Sequence, residues 1–429
     1  MGRPSLWEDL TWRGLVHQIT ADELKDKLDH DYLTAYIGFD PTADSLHIGS
    51  LLQLTNMRRL QLSGHRVVGL IGGGTGLVGD PSGRDAERVL LDSGTLERNT
   101  AAIRSQIEQF FEGPSEGLGA LVLVDNAHWL REIRLTDFLR DIGKLFSVNE
   151  MIRKESVRAR LEGREQGISY TEFSYMLLQA YDFLHLYDNH ECTLQLGGSD
   201  QWGNIIEGID LIRRLRQGQA YGLTSPLVTA PSGAKFGKSA SGTQIWLDPQ
   251  RTSPYAFYQY WVRADDRDVG TYLRSFTFLD RATIEALDAA TLERPERREA
   301  QITLARHMTT LVHGEAETAR AERAAEALFT EAISDLDEDL LVAVFADAPH
   351  AEVARTALDG AGLMVVDALV EAGLAASKGE ARRVADQGGA YVNNQKAPSD
   401  RALTSADLVH DRYIVLRKGK RDHALLRVG

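Results

Sequence analysis

Two short stretches of the sequence carry groups suited to holding a polyphosphate. His47-Ile48-Gly49-Ser50 places an imidazole at a predicted helix start, and Lys235-Phe236-Gly237-Lys238-Ser239 places two ammonium groups on a glycine-containing loop. Asp44 or Ser45 can cap the first helix, which puts His47 in a first turn where free backbone N–H groups and the helix dipole favour anions. Gly49 then leaves space for a ribose or base to lie against that helix. The two lysines can close over β- and γ-phosphates as a leaving group gains charge. A surface cap and a solvated basic turn are the competing readings of the two stretches taken singly.

A third constellation says what lies beside the phosphates. Tyr175, Gln179 and Asp182 stand at i, i+4 and i+7 and project from one helix stripe. Met176, Leu177, Leu178, Tyr181, Phe183 and Leu184 cover the rest of that helix, so it is expected to be buried and its polar stripe to line a cavity. Tyr36, Gly38 and Asp40 share one face of a strand, Gly38 leaving room for a ligand at the backbone. A hydroxyl from Tyr36 and a carboxylate from Asp182 would together recognise a substrate hydroxyl.

Two motifs nearby are decoys. Gly74-Thr75-Gly76-Leu77-Val78-Gly79 fits the dinucleotide fingerprint, but Asp80-Pro81-Ser82-Gly83-Arg84 puts a proline and another glycine where the phosphate-binding helix should run. Gly233 to Ser239 is one residue short of a P-loop and is followed by Ala-Ser-Gly-Thr, not by a helix pattern.

The elements that must position these groups follow from hydrophobic periodicity. Residues 33–39, 66–71, 121–125 and 192–196 are short apolar runs separated by helical patterns, as doubly covered parallel strands require. Helices are expected over about 46–62, stopped by Gly64, and over about 202–217. Leu15, Ile19, Leu24 and Leu28 suggest a helix pair within residues 1–30. At 429 residues the chain should hold two or three domains. A hydrophobic share of 43% with 26% charged residues fits a globular chain, and no run reaches the roughly 18 apolar residues of a membrane span. The first ten residues lack an apolar leader pattern, so a cytoplasmic location is expected. Cys192 is the only cysteine, which excludes an intramolecular disulfide and a Cys-rich zinc cage; its setting suggests a buried strand residue.

Charge changes sign along the chain, whose net value is −14. Residues 331–360 hold eight acidic groups against Arg355, around the helix-breaking Asp347-Ala348-Pro349, and read as a linker. Residues 377–429 hold eleven Lys and Arg against six Asp and Glu. Within them Ser377-Lys378-Gly379-Glu380 has capping-box spacing, Lys378 and Arg382 share a helix face, and Gly388 to Asn394 turns into a strand. The expected fold is α/β: a Rossmann-like doubly wound parallel-sheet domain over 1–250, an α-helical domain over 251–330, an acidic linker over 331–361, and a small basic α+β domain over 362–429.

The stretch from Tyr36 through Asp40-Pro41-Thr42-Ala43-Asp44-Ser45-Leu46-His47-Ile48-Gly49, together with Gly79-Asp80-Pro81-Ser82-Gly83, Gly197-Gly198-Ser199-Asp200-Gln201-Trp202-Gly203-Asn204 and Lys235-Phe236-Gly237-Lys238-Ser239, closely resembles the bacterial tyrosyl-tRNA synthetase family. The two opening stretches resemble the paired signatures of class I aminoacyl-tRNA synthetases. Ser50 replaces the second histidine of the first signature, Ser239 stands where many relatives have threonine, and Arg84 where lysine is common.

That resemblance implies a homodimeric tyrosine–tRNA ligase that joins L-tyrosine to tRNA(Tyr) with ATP, magnesium accompanying the ATP and no structural metal held by the protein. It also implies that the domain over 1–250 is the catalytic domain and the one over 362–429 an RNA-binding domain. It implies that Tyr36 and Asp182 bond the tyrosine phenol, that Asp80, Tyr175 and Gln179 hold its ammonium, and that Gln201 serves its carboxylate side. Gly38, Asp40 and Asp200 would face the ribose and α-phosphate, with Gly49 and Ser50 also at the nucleotide. Thr42 and His47 would meet the γ-phosphate, and Arg84, Arg88, Lys235, Lys238 and Ser239 the departing pyrophosphate. The C-terminal module resembles one shared with a small-subunit ribosomal protein, and Lys378, Arg382 and Arg383 would contact tRNA phosphates. A tryptophan-specific relative and a non-catalytic RNA-binding relative are the rival readings; Asp182 beside Tyr36 disfavours the first and the full set of phosphate groups the second.

Overall fold

The computed structural model describes residues 5–80, 91–111, 113, 117–154, 157–158, 161, 168–228, 236–238, 242–327, 332–346, 348–419 and 422–429. They form two compact units, residues 1–251 with 264–304, and residues 252–263 with 305–429.

In the first unit the described strands are β1 (Gln18–Ile19), β2 (Thr34–Phe39), β3 (Arg66–Ile71), β4 (Leu121–Asp125), β5 (Cys192–Gly198) and β6 (Tyr221–Ser225). They make one sheet in the order β1-β6-β5-β2-β3-β4, parallel except for β1. The chain leaves β2 toward β3 and β4, then returns to its other side with β5 and β6. Strand order therefore reverses beside β2, and the crevice at the carboxyl ends of β2 and β5 is where such sheets take ligands.

The residues of β2 are buried apart from Gly38, so an apolar strand delivers Tyr36, Gly38 and Asp40 to that crevice. Cys192 opens β5 fully buried, and burial pushes its thiol well above the ordinary range. Helix Ile48–Leu62 runs on from β2, and Gly64 takes a φ of 90° after it. Helix Tyr170–His190 starts at Ser169, whose hydroxyl accepts from the Glu172 amide at 3.2 Å, and ends at Glu191 with a φ of 55°. Its apolar faces pack in a core with Val68, Leu70 and Leu211.

Three expectations are corrected. Ile19 lies in β1, not in a helix, because its backbone finds Leu223 of β6 across the sequence. The region after residue 250 is helical as expected, with Pro254–Val262, Asp266–Phe276, Arg281–Glu293 and a Glu299–Ala327 stretch interrupted at Gly314, but its helices are divided between the two compact units. Helix Asp266–Phe276 falls in the first unit, where two buried arginines grip carbonyls at and just beyond its C-terminus. Arg13 donates to Thr277 O at 3.1 Å and Leu279 O at 2.6 Å, and Arg59 to Thr277 O at 2.7 Å and Ser275 O at 3.2 Å. Burial, and then Arg13, push the Arg59 guanidinium down to about 9, with Asp9 opposing.

The third correction concerns 331–361, which is not a linker. Asp337 caps helix Glu338–Val344, with Glu338 and Asp339 in its first turn, so these acids satisfy a helix N-terminus. Further on, β7 (His350–Val353) enters a sheet of the second unit. With β8 (Leu363–Met364), β9 (Ala390–Val392), β10 (Gln395–Lys396), β11 (Ala402–Leu403), β12 (Tyr413–Lys418) and β13 (Asp422–Val428), the described strands form a sheet in the order β10-β9-β12-β13-β7 and a separate β11-β8 pair. Helices Val365–Glu371 and Lys378–Asp386 pack on it through Leu369, Ala381 and Ala385.

Candidate active site

A cavity of about 310 Å³ opens at the carboxyl ends of β2 and β5, at the low end of the roughly 300–1,000 Å³ of small-molecule sites. Tyr36, Gly38, Asp40, Thr42, His47, Gly49, Ser50, Asp80, Tyr175, Gln179, Asp182, Asp200 and Gln201 all line it. A cavity of about 610 Å³ in the second unit is larger, but its lining Lys418 is already bound to Glu380 at 2.8 Å and to Leu374 O at 2.9 Å. Volume alone does not mark the site.

Asp182 forms the floor. It is 2% exposed, and its two oxygens accept from Trp129 Nε1 at 2.7 Å and Asn126 Nδ2 at 2.8 Å. Burial pushes its carboxyl up to about 7 against those two hydrogen bonds, with Asp40 and Asp125 adding to the rise. The Tyr36 hydroxyl is buried without a hydrogen-bond partner, its phenol raised by burial and by Asp182. An unpaired buried polar group costs roughly 1–3 kcal/mol, so this hydroxyl and a near-neutral carboxyl mark a place that a ligand hydroxyl would complete.

Above the floor the polar groups are held by one another. Asn126 donates to Thr75 Oγ1 at 3.0 Å, Thr75 donates to Asp40 Oδ1 at 2.9 Å, and Tyr175 donates to Asp40 Oδ2 at 3.0 Å. Burial and then Asp40 keep the Tyr175 phenol well above its usual range, so its proton stays and its oxygen presents lone pairs. Gln201 Nε2 donates to Asp80 Oδ2 at 2.7 Å, while Asn204 Nδ2 donates to Gln179 Oε1 at 3.0 Å. Burial, then Asp80, raise the Asp200 carboxyl. Asp80, Gln179 and Tyr175 together form a ring of acceptors suited to an ammonium.

Where they meet at the cavity mouth, the two signature stretches are stitched by backbone. His47 pairs with Trp246, the Ile48 amide donates to Ile245 O at 3.0 Å, and the Ile245 amide donates to Gly237 O at 3.0 Å. Gly237 has a φ of 85°, and a Cβ there would meet Ile48 Cγ2 at 3.2 Å, so this glycine lets the lysine loop lie against the histidine helix. Phe236 stacks on Phe276 with centroids 5.4 Å apart. Lys238 is exposed, in register with Gln244 and outside the cavity lining. Lys235, Ser239, Arg84 and Arg88 lie outside the described residues.

Two readings of the first signature change. His47 is itself the N-cap, its Nδ1 accepting from the Gly49 amide at 3.0 Å, so neither Asp44 nor Ser45 caps this helix. A Cβ on Gly49 would meet His47 Cε1 at 2.7 Å, so the glycine makes room first for the imidazole. Sequence reasoning missed Gln53 and Gln195, whose Oε1 atoms are buried without hydrogen-bond partners and which line the cavity, as well as Thr75, Asn126 and Trp129. A polar residue just past an apolar strand, as Asn126 follows Leu121–Asp125, was the available signal.

On the second unit Lys378, Arg382 and Arg383 are exposed on helix Lys378–Asp386, opposite its buried Ala381 and Ala385, and Lys378 pairs with Asp367 at 2.7 Å. Among the described residues no group of three or more His, Cys, Asp or Glu is arranged to hold a metal ion, and no helix is long and apolar enough to cross a membrane.

A parallel sheet with its cavity at the order reversal, a histidine cap in that cavity's lining and a lysine-bearing segment stitched to the cap are the arrangement of a class I aminoacyl-tRNA synthetase. Residues 28–330 match the family model for class I tRNA synthetases of the W and Y type, and residues 341–426 match that for the SYY-like C-terminal domain of tyrosine–tRNA ligase. The chain belongs to the tyrosine–tRNA ligase family. It is 51% identical over 425 residues to the tyrosine–tRNA ligase of Roseiflexus castenholzii, covering 99% of each chain, and 48% identical over 426 residues to that of Rhodopirellula baltica, covering 99% of this chain and 96% of that one. A solved C-terminally truncated mitochondrial tyrosyl-tRNA synthetase of Aspergillus nidulans superposes with a TM-score of 0.68 at 30% identity, covering 76% of this chain and 95% of the other.

Proposed function

We propose that this chain activates L-tyrosine with ATP and passes the tyrosyl group to the 3′ end of tRNA(Tyr). The observation that carries the choice of amino acid is the cavity floor, where the buried Asp182 carboxyl and the unpartnered Tyr36 hydroxyl await a phenol. Asp80, Gln179 and the Tyr175 oxygen take the substrate ammonium, and Gln201 orients the carboxylate end.

The substrate carboxylate is already ionised, so catalysis consists of positioning and charge stabilisation. One carboxylate oxygen attacks the α-phosphorus of ATP, the bond from that phosphorus to the bridging oxygen breaks, and pyrophosphate leaves with the electron pair. Gly38, Asp40 and Asp200 border the ribose and α-phosphate, with Gly49 and Ser50 beside them. Thr42 and His47 meet the γ-phosphate; Lys235, Lys238, Ser239, Arg84 and Arg88 neutralise the departing charge, and magnesium enters as part of the ATP substrate. A ribose hydroxyl at the tRNA 3′ end then attacks the acyl carbon and AMP leaves.

Tyrosine-dependent exchange of pyrophosphate into ATP tests this reading. Exchange with tyrosine and not with phenylalanine is expected; exchange driven by tryptophan instead would overturn it.

A cytoplasmic homodimer completes the proposal. Leu135 is 72% exposed and Leu139 is exposed on the same helix Leu135–Asp141, while Val148 is 56% exposed on helix Val148–Met151 and Ile152 is exposed just after it; exposed apolar side chains of this kind suit a second copy. Sedimentation should return the mass of two chains. The basic helix carrying Lys378, Arg382 and Arg383 is assigned to tRNA phosphates, so charge reversal there should weaken tRNA charging and leave pyrophosphate exchange intact.

A further inference from the structure

Asp182 is held in place from outside its own helix. Trp129 sits on the short helix Ala127–Leu130 directly after β4 and donates its Nε1–H to Asp182 Oδ1 at 2.7 Å. The His185 imidazole lies flat on that indole, with centroids 4.1 Å apart and planes 14° from parallel. His185 follows Asp182 by three residues on helix Tyr170–His190, so one helix supplies both the carboxylate and the ring that backs its donor. Behind it is a second cavity of about 490 Å³ whose lining includes His185, Asp137, Asp188 and Arg216 but not Trp129. The imidazole thus stands between the indole and that open space. Burial and His190 hold the imidazole below its ordinary range, with Asp188 opposing, which favours a neutral stacking ring.

We propose that His185 is a positioning residue for tyrosine recognition: its ring clamps the Trp129 indole so that Nε1–H points at Asp182, and it keeps water in the second cavity from competing for that hydrogen bond. The inference rests on the reading of Asp182 as the partner of the tyrosine phenol. Without the clamp the indole turns, Asp182 loses one of its two donors, and the carboxylate is both harder to ionise and less fixed in direction.

The test is pyrophosphate exchange by the full chain, with Michaelis constants taken separately for tyrosine and ATP. His185→Ala is expected to raise the tyrosine KM about ten-fold and to leave the ATP KM within about two-fold, a split that general loosening of the fold does not produce. His185→Phe keeps an aromatic face and should return the tyrosine KM to within about two-fold of the native value, whereas His185→Leu, apolar but without a ring, should not. The Leu and Phe pair still decides the matter should the alanine variant fail to fold. A tyrosine KM unchanged in His185→Leu, or raised equally in His185→Phe, would overturn the proposal. Asp182→Asn run alongside separates the two ideas: if it too leaves the tyrosine KM unchanged, the reading of Asp182 fails, and if it alone raises the KM, only the role of His185 fails.

Discussion

The two ends of the active-site cavity are built in opposite ways. At the amino-acid end, side chains from β2, helix Tyr170–His190 and the turns after β3 and β4 bind one another before any substrate arrives, and Asp182 and Tyr36 are buried. At the nucleotide end the connections are made by backbone, through Ile48, Ile245 and Gly237, and Lys238 projects into solvent. The difference teaches where each part of the reaction is controlled. On the proposed reading selectivity would lie in the desolvated network, whose errors cost a full unpaired group, while the triphosphate would be met by charge at the solvent, such as the exposed Lys238 ammonium.

Breaking the rigid end should have the largest effect. Asp182→Ala removes the proposed phenol acceptor and leaves the Trp129 N–H and one Asn126 N–H without their acceptor, so kcat/KM for tyrosine is expected to fall on the order of a thousand-fold in pyrophosphate exchange. Lys238→Ala acts at the solvent-facing end: adenylate formation should slow about a hundred-fold while tyrosine binding, measured by equilibrium titration, is kept. Equal loss of tyrosine binding in both variants would erase the distinction between the two ends.

Acid titration sharpens the comparison at intermediate size. Because the Asp182 carboxyl is pushed up to about 7, kcat/KM for tyrosine should fall about tenfold for each pH unit below that value, while the ATP KM shows no matching limb. The folded value lies above the unfolded one, so this group's contribution to stability is full below its ordinary value of 3.8 and is lost as pH rises through about 7. Added tyrosine should accordingly raise the melting temperature more at pH 8 than at pH 5.5, as scanning calorimetry can show. Tyr36→Phe is the smaller change: the missing hydroxyl had no partner in the free protein, so stability should hold or rise by up to about 1 kcal/mol in urea titrations, while the tyrosine KM rises a few-fold.

Much of the rigid end was legible from sequence because its residues sit on strongly periodic elements. β3 and β4 occupy residues 66–71 and 121–125, as their apolar runs indicated, and the Tyr175, Gln179 and Asp182 stripe faces the cavity as a 3.6-residue period requires. What could not be read is what depends on distant partners. Asn126 and Trp129 are ordinary turn and helix residues until folding brings Asp182 to them. The same holds for the boundary of the catalytic unit, since nothing local to residues 266–279 announces that Arg13 and Arg59 will hold their carbonyls. In the glycine-rich Gly74 to Gly79 stretch, which Pro81 and Gly83 already distinguish from a dinucleotide loop, the Gly74 amide donates to Asn126 Oδ1 at 2.7 Å and is not free for a phosphate. Acid-rich residues 331–360 misled because composition records charge but not whether a carboxylate caps a helix.

The hydrogen-bonded series Asp182, Asn126, Thr75, Asp40 runs without interruption from the carboxylate proposed for the tyrosine phenol to the one proposed for the ribose, and Tyr175 joins it at Asp40. Two ligands that touch opposite ends of one such series are expected to be thermodynamically linked, and linkage is reciprocal: whatever factor tyrosine applies to ATP affinity, ATP must apply to tyrosine affinity. Thr75→Val, which interrupts the series between Asn126 and Asp40, should bring that factor toward one without abolishing either binding event. Dissociation constants for tyrosine with and without an ATP analogue whose α,β-bridge cannot be cleaved, and for that analogue with and without tyrosine, would give the value directly, and a factor equal in native and variant proteins would mean that the series fixes geometry alone and carries no cooperativity.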